Sequence, residues 1–243
     1  TTVGLDYDSI RTDFEYGTYL NDSVRYHIGG FVRQGEGPRE TGYTSNKGGQ
    51  IKANLTKEFD AGYVRVYFKH LDDKSVGYLP MPMYSDGDSI PGFDSQSDTP
   101  HSALFTQTLR LNGDNQISTG DMTDGMNPVV TSVGFEAAFD LENDWRIENR
   151  FRTSSVSGNF ISLIPAEVAS ASSIASSIAG DGASLVYANG GSAGEAYGDD
   201  DLAMRIHTFD VTLNDMGSIV NDLKLTKSFS DDTSVTFGYF ASS

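Results

Sequence analysis

The stretch that decides the fold of this chain is Trp145-Arg146-Ile147-Glu148-Asn149-Arg150-Phe151-Arg152-Thr153. Its apolar side chains are those of Trp145, Ile147 and Phe151, and arginine or glutamate occupies most of the positions between them. This alternation predicts a β-strand, because successive side chains of a strand point to opposite faces. One face of the strand is therefore apolar, and the other carries arginines and a glutamate.

The same alternation recurs along the chain. A second clear example places Val64, Val66 and Phe68 on one face and Arg65, Tyr67 and Lys69 on the other. Nine antiparallel strands are predicted in this way, at about residues 2–8, 10–18, 23–33, 50–59, 63–71, 130–140, 145–154, 220–229 and 233–241. Most of them have the length of about 9–11 residues with which a tilted strand crosses a bilayer.

The predicted connections alternate between short turns and long loops. The two longest loops, 72–128 and 155–204, are rich in Gly, Ser and Asp and carry 13 of the 17 net negative charges. Short turns on one side and long loops on the other are typical of an outer-membrane β-barrel, which turns its apolar face to lipid and its polar face to a wet lumen. A soluble β-sandwich with the charged face outside is the alternative.

One segment of the second long loop has helical periodicity. Pro165 suits the first turn of a helix, Glu167 suits its amino-terminal end, and Gly180 is a plausible residue just after its end. An apolar stripe accompanies these signals at Val168, Ala171, Ile174, Ala175 and Ile178. A short helix of about 14 residues inside the loop is therefore predicted.

Composition and motifs exclude several classes of function. The 243 residues have a net charge of −17, which disfavours nucleic acid as a partner, since such binding depends on Lys and Arg neutralising phosphates. The chain has no cysteine, which rules out disulfides and thiolate metal sites. No catalytic or phosphate-binding motif occurs, and the acidic pairs lack the spacing of an EF-hand. We therefore predict no enzymatic activity, no cofactor and no metal site.

Several runs of the sequence resemble one family of membrane proteins. They are Gly29-Gly30-Phe31-Val32-Arg33-Gln34-Gly35-Glu36-Gly37-Pro38-Arg39, Gly42-Tyr43-Thr44, Lys47-Gly48-Gly49-Gln50, Leu55-Thr56-Lys57-Glu58-Phe59, Tyr78-Leu79-Pro80-Met81-Pro82, Gly92-Phe93-Asp94 and Asn221-Asp222-Leu223-Lys224-Leu225-Thr226-Lys227. These runs resemble the barrel of TonB-dependent outer-membrane receptors. The resemblance extends through nearly the whole chain, and it is most specific between Gly29 and Phe59.

The resemblance implies a barrel of about 22 strands with a plug domain in its lumen. The nine predicted strands and the lack of a plug depart from that pattern. We therefore expect residues 1–243 to be one section of a larger transmembrane β-barrel domain, an all-β antiparallel fold whose long loops are extracellular. Further strands are expected in the working molecule, because open strand edges are costly in lipid.

The function implied by the resemblance is TonB-dependent import of a scarce nutrient, such as a carbohydrate or a siderophore, across the outer membrane of a Gram-negative bacterium. The expected partners are outer-membrane lipid, the small nutrient ligand and the TonB complex, which would act through the plug. Aromatic and polar side chains of the first long loop are the candidate ligand contacts, because loops project from a rigid scaffold. They are Tyr78, Tyr84, Phe93, Asp94 and His101.

Two other classes of function share the same alternation of residues. A passive porin would have an open lumen instead of a plugged one. A soluble β-sandwich that binds carbohydrate or another protein would be extracted without detergent. The ligand itself and the oligomeric state are not indicated by the sequence.

Overall fold

A computed structural model of the protein describes residues 1–4, 7–79 and 81–243, and their fold is all-β. The strands are β1 (Thr2–Val3), β2 (Ser9–Asn21), β3 (Val24–Gly35), β4 (Asn46–Phe59), β5 (Gly62–Lys74), β6 (Gln107–Leu111), β7 (Ile117–Asp121), β8 (Met126–Leu141), β9 (Trp145–Ser170), β10 (Leu202–Leu213), β11 (Ser218–Ser230) and β12 (Thr233–Ser242). The chain also forms one α-helix, α1 (Ala171–Ala179), and one turn of 3-10 helix (Met122–Asp124).

Ten of these strands form one antiparallel sheet. Its order is β1-β2-β3-β4-β5-β8-β9-β11-β12, and β10 pairs with the far half of β9, beyond the part that pairs with β11. The strands β6 and β7 form a separate hairpin. The sheet is an open meander with β1 and β12 at its two edges, so the antiparallel all-β prediction is confirmed at this level.

Tight turns and long connections alternate, as the sequence predicted. Residues 22–23, 60–61, 142–144 and 231–232 join β2 to β3, β4 to β5, β8 to β9 and β11 to β12. Strand direction reverses at each step, so these four turns lie at one end of the sheet, here called the turn end. The connections between β3 and β4, β5 and β8, and β9 and β10 lie at the opposite end, here called the loop end.

The register of the strands gives the sheet two unlike faces. One row that crosses five neighbouring strands is Tyr26, Leu55, Val66, Phe135 and Phe151. The adjacent row, one residue along, is Arg25, Thr56, Arg65, Glu136 and Arg150. Because successive residues of a strand alternate between faces, the first row belongs to an apolar face and the second to an ionic face.

The apolar face does not form a closed interior within the described residues. Val66 is 47% exposed and Phe68 is 39% exposed. Val64, Ile147 and Phe151, on the same face, are only partly buried. A soluble sandwich would have buried these five side chains together against a second sheet.

The small hydrophobic core lies at the loop end. There β9 continues beyond β8 and forms a two-stranded ribbon with β10. Met122 packs against Ile161 and Leu163 of β9, and all three are buried, with Ile206 of β10 beside them. The loop after β5 is tied to the other side of the ribbon by Ser162 Oγ, which donates to the Gly77 carbonyl at 2.7 Å.

The ribbon differs from the sequence prediction. The segment 155–170 continues β9 where a loop was expected, and β6, β7 and β10 were not predicted. Pro165 and Glu167 therefore lie in a strand and not in a helix. A register shift opposite Arg205 and Ile206 accommodates Pro165, since a proline has no N–H to donate to the ladder.

The predicted helix is present in shortened form. Helix α1 begins after Ser170, whose side-chain oxygen accepts a hydrogen bond from the Ser173 N–H at 3.3 Å, and it ends before Gly180, whose φ of 91° suits glycine. The first predicted strand, residues 2–8, corresponds only to Thr2–Val3. Its residues Leu5 and Asp6, and Pro80 of the run 78–82, lie outside the described residues.

Candidate ligand-binding site

Three side chains from two connections meet at the loop end. Tyr43 lies between β3 and β4, and Tyr78 and His101 lie in the loop after β5. The Tyr43 hydroxyl is 3.2 Å from His101 Nδ1, and the rings of Tyr78 and His101 meet edge to face with centroids 6.4 Å apart. These residues are here called the Tyr–His cluster, and His101, 3% exposed, is its buried centre.

Burial sets the protonation state of the Tyr–His cluster. It lowers the pKa of His101, because desolvation disfavours the imidazolium ion. Burial also raises the pKa of Tyr43 to about 12 and raises that of Tyr78, because a phenolate would be desolvated there. The cluster is therefore uncharged at neutral pH, and its contacts join two loops.

A second set of contacts fixes the same two loops to each other. Arg39 donates from Nη2 to the Ser95 carbonyl at 3.1 Å and from Nη1 to the Asp98 carbonyl. Its guanidinium also lies 5.8 Å from the centroid of the Tyr78 ring. Arg39 thus connects the β3–β4 loop to the segment that contains Asp94 and Asp98.

Asp94 occupies a compact turn in that segment. Its Oδ1 accepts from the Gln96 N–H at 2.9 Å, and its Oδ2 accepts from the Ser97 hydroxyl at 3.0 Å. These hydrogen bonds, the Gln96 backbone first, lower the pKa of Asp94, so its side chain is a carboxylate at neutral pH. Asp98 in turn accepts from the Asp94 N–H at 2.7 Å.

Phe93 and Asp94 lie together on an open concave surface. Phe93 is partly buried and Asp94 is exposed. The concavity has a volume of about 630 Å³, and Gln96 and Asp98 are among the residues that line it. An aromatic ring beside ionised carboxylates could stack on a sugar or other planar group and accept hydrogen bonds from its hydroxyls.

Tyr84 lines a different, more apolar groove of about 420 Å³. Its walls come from the loop after β5, from the ribbon strand β9 and from the start of β10. They are formed by Met81, Pro82, Met83, Ile90, Pro165, Ala166, Glu167, Val168 and Leu202. The Tyr84 side chain is exposed, and Glu167 is held by an ion pair with Arg205 at 3.4 Å. The groove therefore combines apolar walls with one aromatic ring and one oriented carboxylate, as small-molecule sites do.

The structure places the five predicted contacts in three separate positions. Tyr78 and His101 belong to the Tyr–His cluster, Phe93 and Asp94 share the open concavity, and Tyr84 lines the apolar groove. Tyr43 was not identified from the sequence, because its contact with His101 depends on the packing of two loops. The ribbon side of the groove was not identified because strand β10 was not predicted. The sequence signal for strand β10 is the alternation of Met204 and Ile206 with Arg205 and His207.

Compared with known protein families and with curated protein sequences, the chain has no significant match in either. In the described part of the chain, no helix has the length and apolar character required to span a bilayer. Over the same residues, no three His, Asp or Glu side chains are grouped so that they could hold a metal ion.

Proposed function

We propose that this chain forms a section of a transmembrane β-barrel in the outer membrane of a Gram-negative bacterium, and that the barrel imports a scarce small nutrient in a TonB-dependent manner. The single observation that carries the proposal is the pairing of an exposed apolar face with an ionic face on one continuous sheet. Lipid is the partner that an apolar face of this size requires when no protein layer covers it.

The dimensions of the apolar face suit a bilayer. It extends on β4 from Phe59 at the turn end to Ile51, which is eight residue steps and about 26 Å along the strand. With a strand tilt of about 40°, this corresponds to about 20 Å along the membrane normal, close to the apolar band of ~25 Å found in outer-membrane barrels.

The two lysines of this face near the turn end also fit an interface with lipid headgroups. Lys57 Nζ lies 5.6 Å from the Phe59 ring centroid and is hydrogen-bonded to the Ser23 hydroxyl. Lys227 Nζ lies 5.8 Å from the ring of Trp145, the chain's one tryptophan. Lysine ammonium groups that reach toward water beside aromatic rings are typical of the membrane boundary.

The ionic face suits a wet lumen. Its charges form ion pairs across and along the strands, such as Arg25 with Glu58 at 3.1 Å and Arg33 with Asp73 at 2.6 Å. Charged side chains at membrane depth are tolerated where they line a water-filled or protein-filled interior. The two open edges, at β1 and β12, would then be completed by further strands, because unpaired backbone groups are costly in lipid.

The loop end is the proposed ligand-binding side. The apolar groove with Tyr84 and the concavity with Phe93 and Asp94 are open to solvent. The Tyr–His cluster joins the loop that carries these three residues to the β3–β4 loop. We propose that Tyr84, Phe93 and Asp94 contact the ligand, and that Tyr78 and His101 position the loop. Neutral ligands with hydroxyl groups, or cationic ones, suit the acidic loops best.

Membrane insertion is tested by fractionating native cells. The protein is expected in the outer-membrane pellet after washing with sodium carbonate, and in solution only with detergent. The native polypeptide is expected to exceed the 26.3 kDa of this chain. Release into buffer without detergent would favour the soluble sandwich and overturn the proposal.

Energised import is distinguished from a passive porin by conductance in a planar bilayer. A plugged receptor is expected to give no steady open-channel current, and its uptake of a labelled ferric siderophore or oligosaccharide should stop when the proton gradient is collapsed. The double variant Phe93→Ala, Asp94→Ala should lose uptake while it still reaches the outer membrane. A steady current and gradient-independent uptake would identify a porin.

A further inference from the structure

Two lysines lie directly opposite each other on the ionic face. The register of the β4–β5 hairpin pairs Lys52 with Lys69. Opposed residues of an antiparallel pair have Cβ atoms about 4.5–5.5 Å apart, and like charges in that position destabilise a sheet. An anion bound between the two ammonium groups offsets this repulsion and would explain why the two lysines are opposed.

A third cation faces the same space. Arg152 on β9 is paired with Gly134 on β8, which is paired with Tyr67 on β5. The Tyr67 ring lies over Gly134, which has no side chain. Ser132, next on the same face of β8, is small and leaves room beside Lys69. Lys52, Lys69 and Arg152 accordingly line one cavity of about 470 Å³.

The three cations have no carboxylate partner among the described residues. Other cations of the ionic face do have one. Arg150 lies 3.7 Å from Glu136, and Lys224 lies 3.1 Å from Asp222. Arg65 of the same face also has no ion pair, but its Nε donates to the Thr56 hydroxyl at 2.9 Å. Among the described residues, Lys52, Lys69 and Arg152 have neither an ion pair nor a side-chain hydrogen bond.

Neutral hydrogen-bonding groups complete the cavity. Ser132 and Ser154 lie on its floor with their hydroxyl oxygens 2.8 Å apart, and Asn54 is in its wall. The Tyr67 hydroxyl, also in the wall, already donates to the Phe135 carbonyl at 3.2 Å. Hydroxyl and amide groups beside three cations provide donors in several directions around one bound group.

We propose that Lys52, Lys69 and Arg152 form a binding site for the phosphate group of a small molecule. A phosphate presents at least three oxygens in a tetrahedral arrangement, so it can contact cations on three strands at once, whereas a carboxylate has two oxygens. Its charge of nearly −2 balances the opposed lysines, and charge-assisted hydrogen bonds of this kind are strong. A phospholipid headgroup does not fit, because the site lies on the face opposite the apolar one.

The inference goes beyond the proposed import function, since it depends only on the sheet and its register.

The test is calorimetric titration of the purified full-length protein with inorganic phosphate in a phosphate-free buffer. One phosphate is expected to bind, with sulfate as a competitor. The double variant Lys52→Gln, Lys69→Gln should weaken binding by about a hundredfold, and Arg152→Gln by about tenfold, the usual effect of losing each charge-assisted contact. Lys224→Gln, which removes a paired lysine of the same face, is the matched control and should leave binding unchanged.

Thermal unfolding provides a second measurement that does not depend on a strong heat signal. Phosphate should raise the Tm of the unaltered protein and not that of the double variant. Without phosphate, the double variant should be at least as stable as the unaltered protein, because the repulsion between the lysines is gone. Absence of saturable phosphate binding, or phosphate binding that the double variant retains, would overturn the proposal. A lower Tm of the double variant without phosphate would also overturn it, because that would identify a carboxylate of the protein as the partner of the lysines.

Discussion

The substitution Val66→Arg tests whether the apolar face contacts lipid. Val66 is at the middle of that face, 47% exposed, and directly opposite Leu55 and Phe135. An arginine at the midplane of a bilayer destabilises an outer-membrane barrel by about 2–4 kcal/mol. If the same position faced water, the change in the free energy of unfolding would be within about 0.5 kcal/mol.

A matched control uses the same face at another depth. Leu141, 48% exposed, lies at the turn end beside Trp145. Arginine near the membrane boundary costs only about 0–1 kcal/mol, because its guanidinium reaches the headgroups. We therefore expect Leu141→Arg to be mild although its exposure equals that of Val66. His27→Arg, on the ionic face, should change stability by less than about 0.5 kcal/mol.

The assay is reversible unfolding in urea of the protein folded into phosphatidylcholine vesicles, followed by the fluorescence of Trp145. The reasoning predicts a loss of stability for Val66→Arg that exceeds that of Leu141→Arg by about 2 kcal/mol. Equal effects of the two substitutions would refute it, since water or a covering protein layer has no such dependence on depth. Full folding in buffer without lipid or detergent would refute it as well.

Three further predictions concern the loop end. Burial lowers the pKa of His101 below its ordinary 6.5, so the unfolded loop binds the proton more readily and the folded loop loses stability as the pH falls below about 6.5. The protection of the loop amides against hydrogen exchange, after correction for the base-catalysed intrinsic rate, should be lower at pH 5.5 than at pH 7.5, and His101→Phe should abolish that difference. Leu163→Ala should destabilise the ribbon by about 2–4 kcal/mol, because Leu163 is 1% exposed and packs against Met122. Proteolytic cleavage of the ribbon should therefore increase in this variant, whereas the control Leu213→Ala, at an exposed position, should leave the cleavage rate unchanged. Tyr84→Ala should reduce uptake of the imported ligand while the β-sheet circular dichroism is unchanged. Uptake equal to that of the unaltered protein would exclude the apolar groove as the binding site.

The alternation of side chains predicted nine of the ten strands of the large sheet, because it is a local property of each strand. Each of the nine predicted strands corresponds to a strand of the structure, although the first is represented only by Thr2–Val3. The tight turns also determine register. The turn at Asp60-Ala61 pairs Phe59 with Gly62 and therefore Lys52 with Lys69, so the length of this turn already determines that pairing.

The loop end was predicted less well, because its structure depends on contacts between residues far apart in the chain. Pro165 and Glu167 have local signals of a helix start, yet pairing with β10 keeps both in a strand. Residue type and loop position indicate the five ligand contacts, and only packing separates the buried His101 from the exposed Asp94.

By itself, the sequence determined which side of each strand is apolar, since side chains of one strand alternate whatever surrounds it. Only the tertiary structure decided which rows meet across the sheet, where the loops join and which charges lack partners. Those features arise from pairing between strands that are far apart in the chain. Such pairing closes long loops at a cost in entropy, and no local pattern of residues encodes it.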